Sequence, residues 1–389
     1  MFLSLPDLVF FFMFLIFLIS LLYKSVTISI NGSMLFVIFC RRMTEPTFKN
    51  GSSPPPSSPV TCNNLVRNMI TQPCADDGVA QTTPVTPDTE ALITSSERRA
   101  FSSVLTGLSS PSPADRKQAV KSLRQITKRS RSFRALVGDE PTAIHQLLSI
   151  LSDAGDDNEL REEAVTAVFN LSIHDANKKT IGESNGIALL IQSMKIAGGT
   201  MNTRGNAAAA LFTLSALDSN KSKIGELGAI PPLVDLFDTG SLAAKKDAAS
   251  AIFNLCLLNE NKARAVKSGA VNACIAAIED ISSEIMDESL TLLALLTTNQ
   301  EAAEEVADAG GVPPLLLILR KGASSTNLEN AVVVLYAACS SDRRKLKEVG
   351  EEESMHGTIS KLSIGGTSRA MRKATGILEK LKRIKHNTH

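Results

Sequence analysis

The stretch AASAIFNLCLLNENKARAVKSGAV, residues 248–271, constrains the fold most, because the chain repeats it. Its triplet Phe253-Asn254-Leu255 has counterparts in Phe169-Asn170-Leu171 and Phe212-Thr213-Leu214, and weaker ones in Leu293-Ala294-Leu295 and Tyr336-Ala337-Ala338. The first residues of these triplets lie 43, 41, 40 and 43 positions apart. Asn-Lys follows the first three (Asn177-Lys178, Asn220-Lys221, Asn261-Lys262), with Asn299-Gln300 as a degraded fourth. A glycine comes about eight residues later, at Gly186, Gly228, Gly269, Gly311 and Gly350. An apolar run then follows, as in GAIPPLVDLF (228–237) and GGVPPLLLIL (310–319). A period near 40 without strand alternation predicts a helical solenoid.

Each unit reads as three helices: a short one after Asn-Lys, a second after the glycine, and a long third ending in the triplet. The glycines supply a turn conformation that other residues resist. The pairs Pro231-Pro232 and Pro313-Pro314 sit at a helix start, where a missing N–H costs nothing. Alanines such as Ala207–Ala210 and Ala248-Ala249 let neighbouring helices approach closely. No unit can bury its apolar faces alone, so stacking builds one continuous core. Residues 97–135 read as a first, divergent unit in which Leu123 stands opposite Phe169.

Several function classes are excluded by what is missing. Lys plus Arg is 41 against 40 for Asp plus Glu, so no whole-molecule charge draws the chain to nucleic acid. The five histidines form no metal-ligand pair, and His174 reads as a solvated loop residue. No G-x-S-x-G, phosphate-binding glycine loop or catalytic cysteine signature appears. No metal, cofactor or catalytic residue is expected. The six cysteines include no C-x-x-C, and Cys256, Cys274 and Cys339 fall in apolar helical runs. Reduced, structural cysteines imply a cytoplasmic or nuclear protein.

The first hundred residues are of another kind. Residues 2–23 are almost wholly apolar, and about 20 such residues can span a bilayer. Lys24, Arg41 and Arg42 would then mark the cytoplasmic side. The competing reading is translation of a thymine-rich, non-coding stretch over 1–42, with Met43 as the true initiator. GSSPPPSSP (51–59) is a Pro/Ser linker, and 74–96 reads as a disordered one. At the other end, seven Lys/Arg between Arg369 and Lys385 flank an aliphatic stripe of Ile377, Leu378, Leu381 and Ile384. That pattern predicts a capping helix with a basic face, with a contact to acidic lipid or protein as the alternative.

The pattern Asn-Lys … Gly-Ala-Ile-Pro-Pro-Leu-Val … Ala-Ile-Phe-Asn-Leu resembles the armadillo repeat. The segments AVFNLSI (167–173) and VGEEESMHGTISKLSIGGTSRAMRKATGILEKLKR (349–383) resemble the plant U-box/armadillo ubiquitin ligases. The resemblance implies an all-α armadillo domain over 97–385, a right-handed superhelical solenoid of about six repeats. It also implies a concave groove lined by the third helices. Carried onto this chain, the groove positions after the triplet's first residue are Asn170, Thr213, Asn254, Ala294 and Ala337. One turn earlier are Thr166, Ala209, Ser250, Leu290 and Val333, and nearly two turns earlier Glu163, Asn206, Asp247, Asp287 and Asn330. An asparagine there can hold the backbone of an extended peptide, since its amide both donates and accepts. It can equally tie off backbone groups between repeats.

A U-box docks a ubiquitin-conjugating enzyme by hydrogen bonds, without metal. Met43-Thr44-Glu45-Pro46 followed by Gly51 resembles its opening loop, and the helix through Asn64, Leu65 and Ile70 resembles its last helix, making 43–73 a degenerate U-box remnant. About a dozen residues separate the fragments, where the family has about 30. The resemblance implies a scaffold that recruits substrate protein for ubiquitination, with a conjugating enzyme as second partner where the U-box is complete. The alternative is a non-catalytic armadillo adaptor, membrane-tethered if 2–23 is a genuine anchor. A nuclear-import reading fits less well, because no Trp accompanies the asparagines.

Overall fold

The structure is a computed structural model that describes residues 95–386. The apolar segment 1–42, the U-box remnant 43–73 and the linker up to residue 94 lie outside the described residues. Every regular element among the described residues is helical. An opening pair, α1 (Ser95–Leu108) and α2 (Pro113–Arg129), precedes a series of three-helix units. These are α3 (Arg131–Gly138), α4 (Pro141–Ser152) and α5 (Asn158–Ser172), then α6 (Asp175–Glu183), α7 (Gly186–Lys195) and α8 (Met201–Leu214). Next come α9 (Asp218–Glu226), α10 (Ile230–Thr239) and α11 (Leu242–Leu255), followed by α12 (Asn259–Lys267), α13 (Ala270–Glu279) and α14 (Met286–Leu296). The series ends with α15 (Gln300–Asp308), α16 (Val312–Lys321) and α17 (Ser325–Ser341), then α18 (Lys345–His356), α19 (Thr358–Gly365) and α20 (Ser368–His386).

The third helices stack in order, α2 on α5, α5 on α8 and so on to α17 on α20. Small side chains permit this. Ala207, Ala208 and Ala210 of α8 and Ala248 and Ala251 of α11 are fully buried, where a larger residue would hold the helices apart. Most third helices start on an oxygen cap that satisfies an otherwise orphaned N–H. Ser112, Asp157, Thr200, Ser241 and Ser324 accept from the backbone N–H three residues on, opening α2, α5, α8, α11 and α17. Thr367 does the same for Ala370 at α20. Helix α14 differs: its cap residue is Ile285, and no side chain caps it.

The repeated Asn-Lys has a clear structural cause. Asn177 Nδ2 donates to two carbonyls of the preceding unit, Leu171 O at the end of α5 (3.1 Å) and Arg134 O of α3 (2.8 Å). Asn220 repeats this with Leu214 O and Lys178 O, and Asn261 with Leu255 O and Lys221 O. Each asparagine lies against a glycine of the preceding unit. A Cβ added at Gly138, Gly182 or Gly225 would come within 2.1, 2.4 or 1.9 Å of the asparagine Oδ1. The following lysines bury their stems and pair with Asp175 and Asp218.

Three expectations of register are corrected by these contacts. Asn170 bonds to Thr127 as Thr213 does to Ser172 and Asn254 to Ser215. That register puts Arg124, not Leu123, opposite Phe169, while Leu123 matches Val168, Leu211 and Ile252, all fully buried. Because α11 ends at Leu255 and α14 at Leu296, Ala294-Leu295-Leu296 takes the triplet's place rather than Leu293-Ala294-Leu295. By the same step Ala302 stands where Asn261 does and Val266 where Gly225 does, so Asn299-Gln300 is no degraded copy. There a polar lock is replaced by two buried apolar residues.

The glycines divide into two kinds. Gly228, Gly269 and Gly310 take φ of +78°, +83° and +75°, the left-handed turn between the first and second helix. Gly186 and Gly311 instead permit close approach, since a Cβ there would meet Ile181 Cγ2 at 2.6 Å or Val306 Cγ1 at 2.9 Å. Gly350 lies inside α18, and the corresponding turn falls to Gly357, φ +61°. Cys256, Cys274 and Cys339 are buried free thiols. Burial pushes the Cys256 and Cys339 thiols up to about 12, so both stay protonated. Among the described residues, no helix is long and apolar enough to cross a membrane.

Candidate functional site

The inner face is built where one third helix meets the next. In the row after the triplet's first residue, Asn170 is 5% exposed and donates to Arg124 O (3.2 Å) and Thr127 Oγ1 (3.3 Å) of the preceding unit. Asn254 is half-buried and donates to Ser215 Oγ at 2.7 Å. Thr213 meets Ser172 and also donates to Ala210 O. Ala294 falls one position off this row, which passes through Leu295 instead. These amides bind the neighbouring unit first, and the half-buried Asn254 is the one whose side chain still reaches the surface.

The second and third rows interlock. Asn206 Nδ2 donates to Thr166 Oγ1 at 2.9 Å, and Asn330 Nδ2 to Thr291 Oγ1 at 3.2 Å. Leu290 is fully buried and Thr291 takes its place in the row. Likewise Asp287 is exposed, accepts from Asn327 Nδ2 at 2.6 Å, and leaves the row to Glu288. Ser250 is buried and donates to Lys246 O. Glu163 is ion-paired with Arg124 at 3.0 Å.

Asp247 stands apart. The register that sets Asn206 on Thr166 sets Asp247 on Ala209, which has no hydroxyl to offer. Its Oδ2 lies 3.8 Å from where a Cβ on Gly205 would be. Half-buried, with no hydrogen bond to offset desolvation among the described residues, the Asp247 carboxyl is pushed up to about 7. Glu288, the next residue along the row, is 8% exposed and also raised by burial, while Lys246 approaches its Oε1 at 3.9 Å. At the far end, Lys373 and Lys380 of α20 project over the Tyr336 ring at 4.2 and 4.9 Å from its centroid. This pair was not legible beforehand, although both residues lie 43 positions beyond row members Asn330 and Ala337.

His174 lies in the loop between α5 and α6, as expected, but is half-buried rather than solvated. It caps α6, with Nδ1 enclosed and unbonded among the described residues. Burial holds its ring below the usual imidazole range, against the opposing pull of Asp175. Among the described residues, no group of His, Cys, Asp or Glu could hold a metal ion.

Three-helix units joined by stacked third helices, with polar side chains bridging each seam, define an armadillo solenoid. Solved structures agree: computationally designed armadillo repeat proteins for modular peptide recognition superpose with a TM-score of 0.53 at 26% identity, covering 60% of this chain and 98% of theirs. The family model for the plant U-box protein ARM repeat region matches residues 101–387, and the chain belongs to that family. It is 45% identical over 350 residues to U-box domain-containing protein 9 of Arabidopsis thaliana, covering 86% of this chain and 73% of that protein. It is also 36% identical over 122 residues to E3 ubiquitin-protein ligase SPL11 of Oryza sativa subsp. japonica, covering 31% of this chain and 17% of that one.

Proposed function

We propose that the chain is the substrate-recruiting scaffold of a U-box ubiquitin ligase. The solenoid holds an extended segment of a target protein along its inner helices. Candidate contacts are Glu163, Thr166, Asn170, Asn206, Thr213, Asp247, Ser250, Asn254 and Asn330, with Glu288 and Thr291 taking the places of Asp287 and Leu290 in the corrected register. The observation that carries this reading is the row itself, which runs from α5 to α17 and leaves the Asp247 carboxyl facing Gly205 and Ala209, with no hydrogen-bond partner among the described residues. The armadillo proteins designed for peptide recognition lend it support, since they share the fold at 26% identity. So does the relative's 86% coverage of the chain, which is more than residues 101–387 alone supply.

Catalysis would be by proximity. A conjugating enzyme held near residues 43–73 would present its ubiquitin thioester to a lysine of the bound target, and no residue of this chain would bond ubiquitin. The short spacing between Gly51 and Asn64 favours a second reading, an armadillo adaptor without ligase activity. A ubiquitin-transfer assay on the full chain with a panel of conjugating enzymes separates the two. Chains of ubiquitin with any of them support the ligase; no product with all of them leaves the adaptor.

A further inference from the structure

The α17/α20 end of the inner face carries two lysines that no carboxylate answers among the described residues. Thr367 caps α20 and bonds Glu329 just as Thr200 caps α8 and bonds Glu162. That match puts Lys373 in the row of Asn206 and Asn330, and Lys380 in the row of Thr213 and Ala337. Seven residues apart on one helix, they fall on the same face two turns from each other. Their ammonium groups share one ring, Tyr336. Lys380 also donates to Ser340 Oγ at 2.8 Å.

Neither lysine forms an ion pair with a carboxylate among the described residues. The nearest acid on the facing helix, Glu329, is already engaged by Arg369 and Thr367. Burial together with Arg369, Arg372 and Lys380 holds the Lys373 ammonium below its ordinary range. Elsewhere in the same stack lysines are matched by carboxylates: row member Lys121 pairs with Glu159, and Lys117 beside the row with Asp157 and Glu159. A ring face attracts a cation, but two cations on one ring repel each other unless an anion lies near both.

We propose that Tyr336, Lys373 and Lys380 form an anion-recognising subsite that takes an acidic side chain of the partner protein's bound segment. The proposal rests on the groove reading given above. The pair lies on the inner row of α20, so it suits a narrow extended chain better than the broad surface of a membrane. A carboxylate bridging the two ammonium groups would neutralise them while the ring holds their stems in place. Lys373 and Lys380 are thus specificity-determining residues for what the groove accepts.

The chain has no Trp and two tyrosines, so Tyr336 can report on its own site. In a Tyr23→Phe background, tyrosine emission would be followed while an octapeptide of alternating Glu and Ser is added at low salt. A Gln-Ser octapeptide is the control. The expected result is a saturable change with the Glu peptide, weakened about ten-fold in Lys373→Gln/Lys380→Gln and abolished by high salt. Equal responses to the Glu and Gln peptides overturn the subsite. So does a double variant that keeps its melting temperature and binds the Glu peptide as wild type does. Selection of random twelve-residue segments on the full chain separates this failure from that of the groove. Bound segments without acidic preference remove the subsite alone; no bound segment removes both.

Discussion

The α2/α5 and α8/α11 seams occupy equivalent places in the stack and are built in opposite ways. At α2/α5, Lys117, Lys121 and Arg124 reach across to Asp157, Glu159 and Glu163. Hydrogen bonds from the lysines hold the Asp157 and Glu159 carboxyls below their ordinary range and raise Lys117. At α8/α11, Asp247 faces Gly205 and Ala209 and is raised to about 7. The ionisation of a carboxylate at these two seams is therefore set by the preceding helix. A matched seam favours the charged form, and an apolar one favours the neutral form.

The largest effect should come from removing the charge at the open seam. A carboxyl raised in the fold gives no penalty below its unfolded value of 3.8. As pH rises from there through about 7, ionisation costs stability, fully so above it. Asp247→Asn should therefore stabilise the chain by about 2–4 kcal/mol at pH 8 and leave it unchanged near pH 4. Urea midpoints at the two pH values test this, and an equal shift at both would contradict it. The lowered carboxyls of the α2/α5 seam have the opposite sign. Their contribution is present above the ordinary carboxylate range and is lost as pH falls through the lowered values.

Both seams also depend on the lock behind them. Asn261→Ala, behind the α8/α11 seam, removes two buried hydrogen bonds and leaves Leu255 O and Lys221 O without their partner, costing about 1–3 kcal/mol. Thermal melts should record the loss at every pH, unlike the Asp247 effect. A smaller change should turn the open seam into a matched one. Ala209→Ser adds the hydroxyl that Thr166 supplies to Asn206, and should lower the Asp247 carboxyl by about one pH unit. NMR titration of the Asp247 carboxyl carbon would read this directly. The smallest effect is expected at the exposed edge of the matched seam. Glu159→Gln, at a solvated pair, should leave the melting temperature unchanged within error.

The period, the helices and their order were legible because Phe-Asn-Leu, Asn-Lys and the turn glycines each have a local cause. The register slipped where that cause was absent. In α2 an arginine, Arg124, holds the aromatic position, and in α14 Ala294 does, so the sequence pattern points to the neighbouring leucine in both. One residue of slip carried Leu290 and Asp287 into the site and left Thr291 and Glu288 out. The role of Asn170 was legible only as two alternatives, because a primary amide offers the same donors to a peptide as to Thr127. The Lys373–Tyr336–Lys380 cluster depends on two helices meeting across the last seam. No local pattern in α20 separates these two lysines from Arg372 or Lys382.

The unit containing α14 lacks two devices that the units before it have. Its inner helix starts without a side-chain cap, and Val266 and Ala302 replace the glycine–asparagine lock behind it. Units in a solenoid bear load in series, each touching only the next. In such a series the most compliant joint takes up most of any bend. Bending should then concentrate from α14 onward, and a bound segment crossing from Asn254 to Tyr336 would act as a splint.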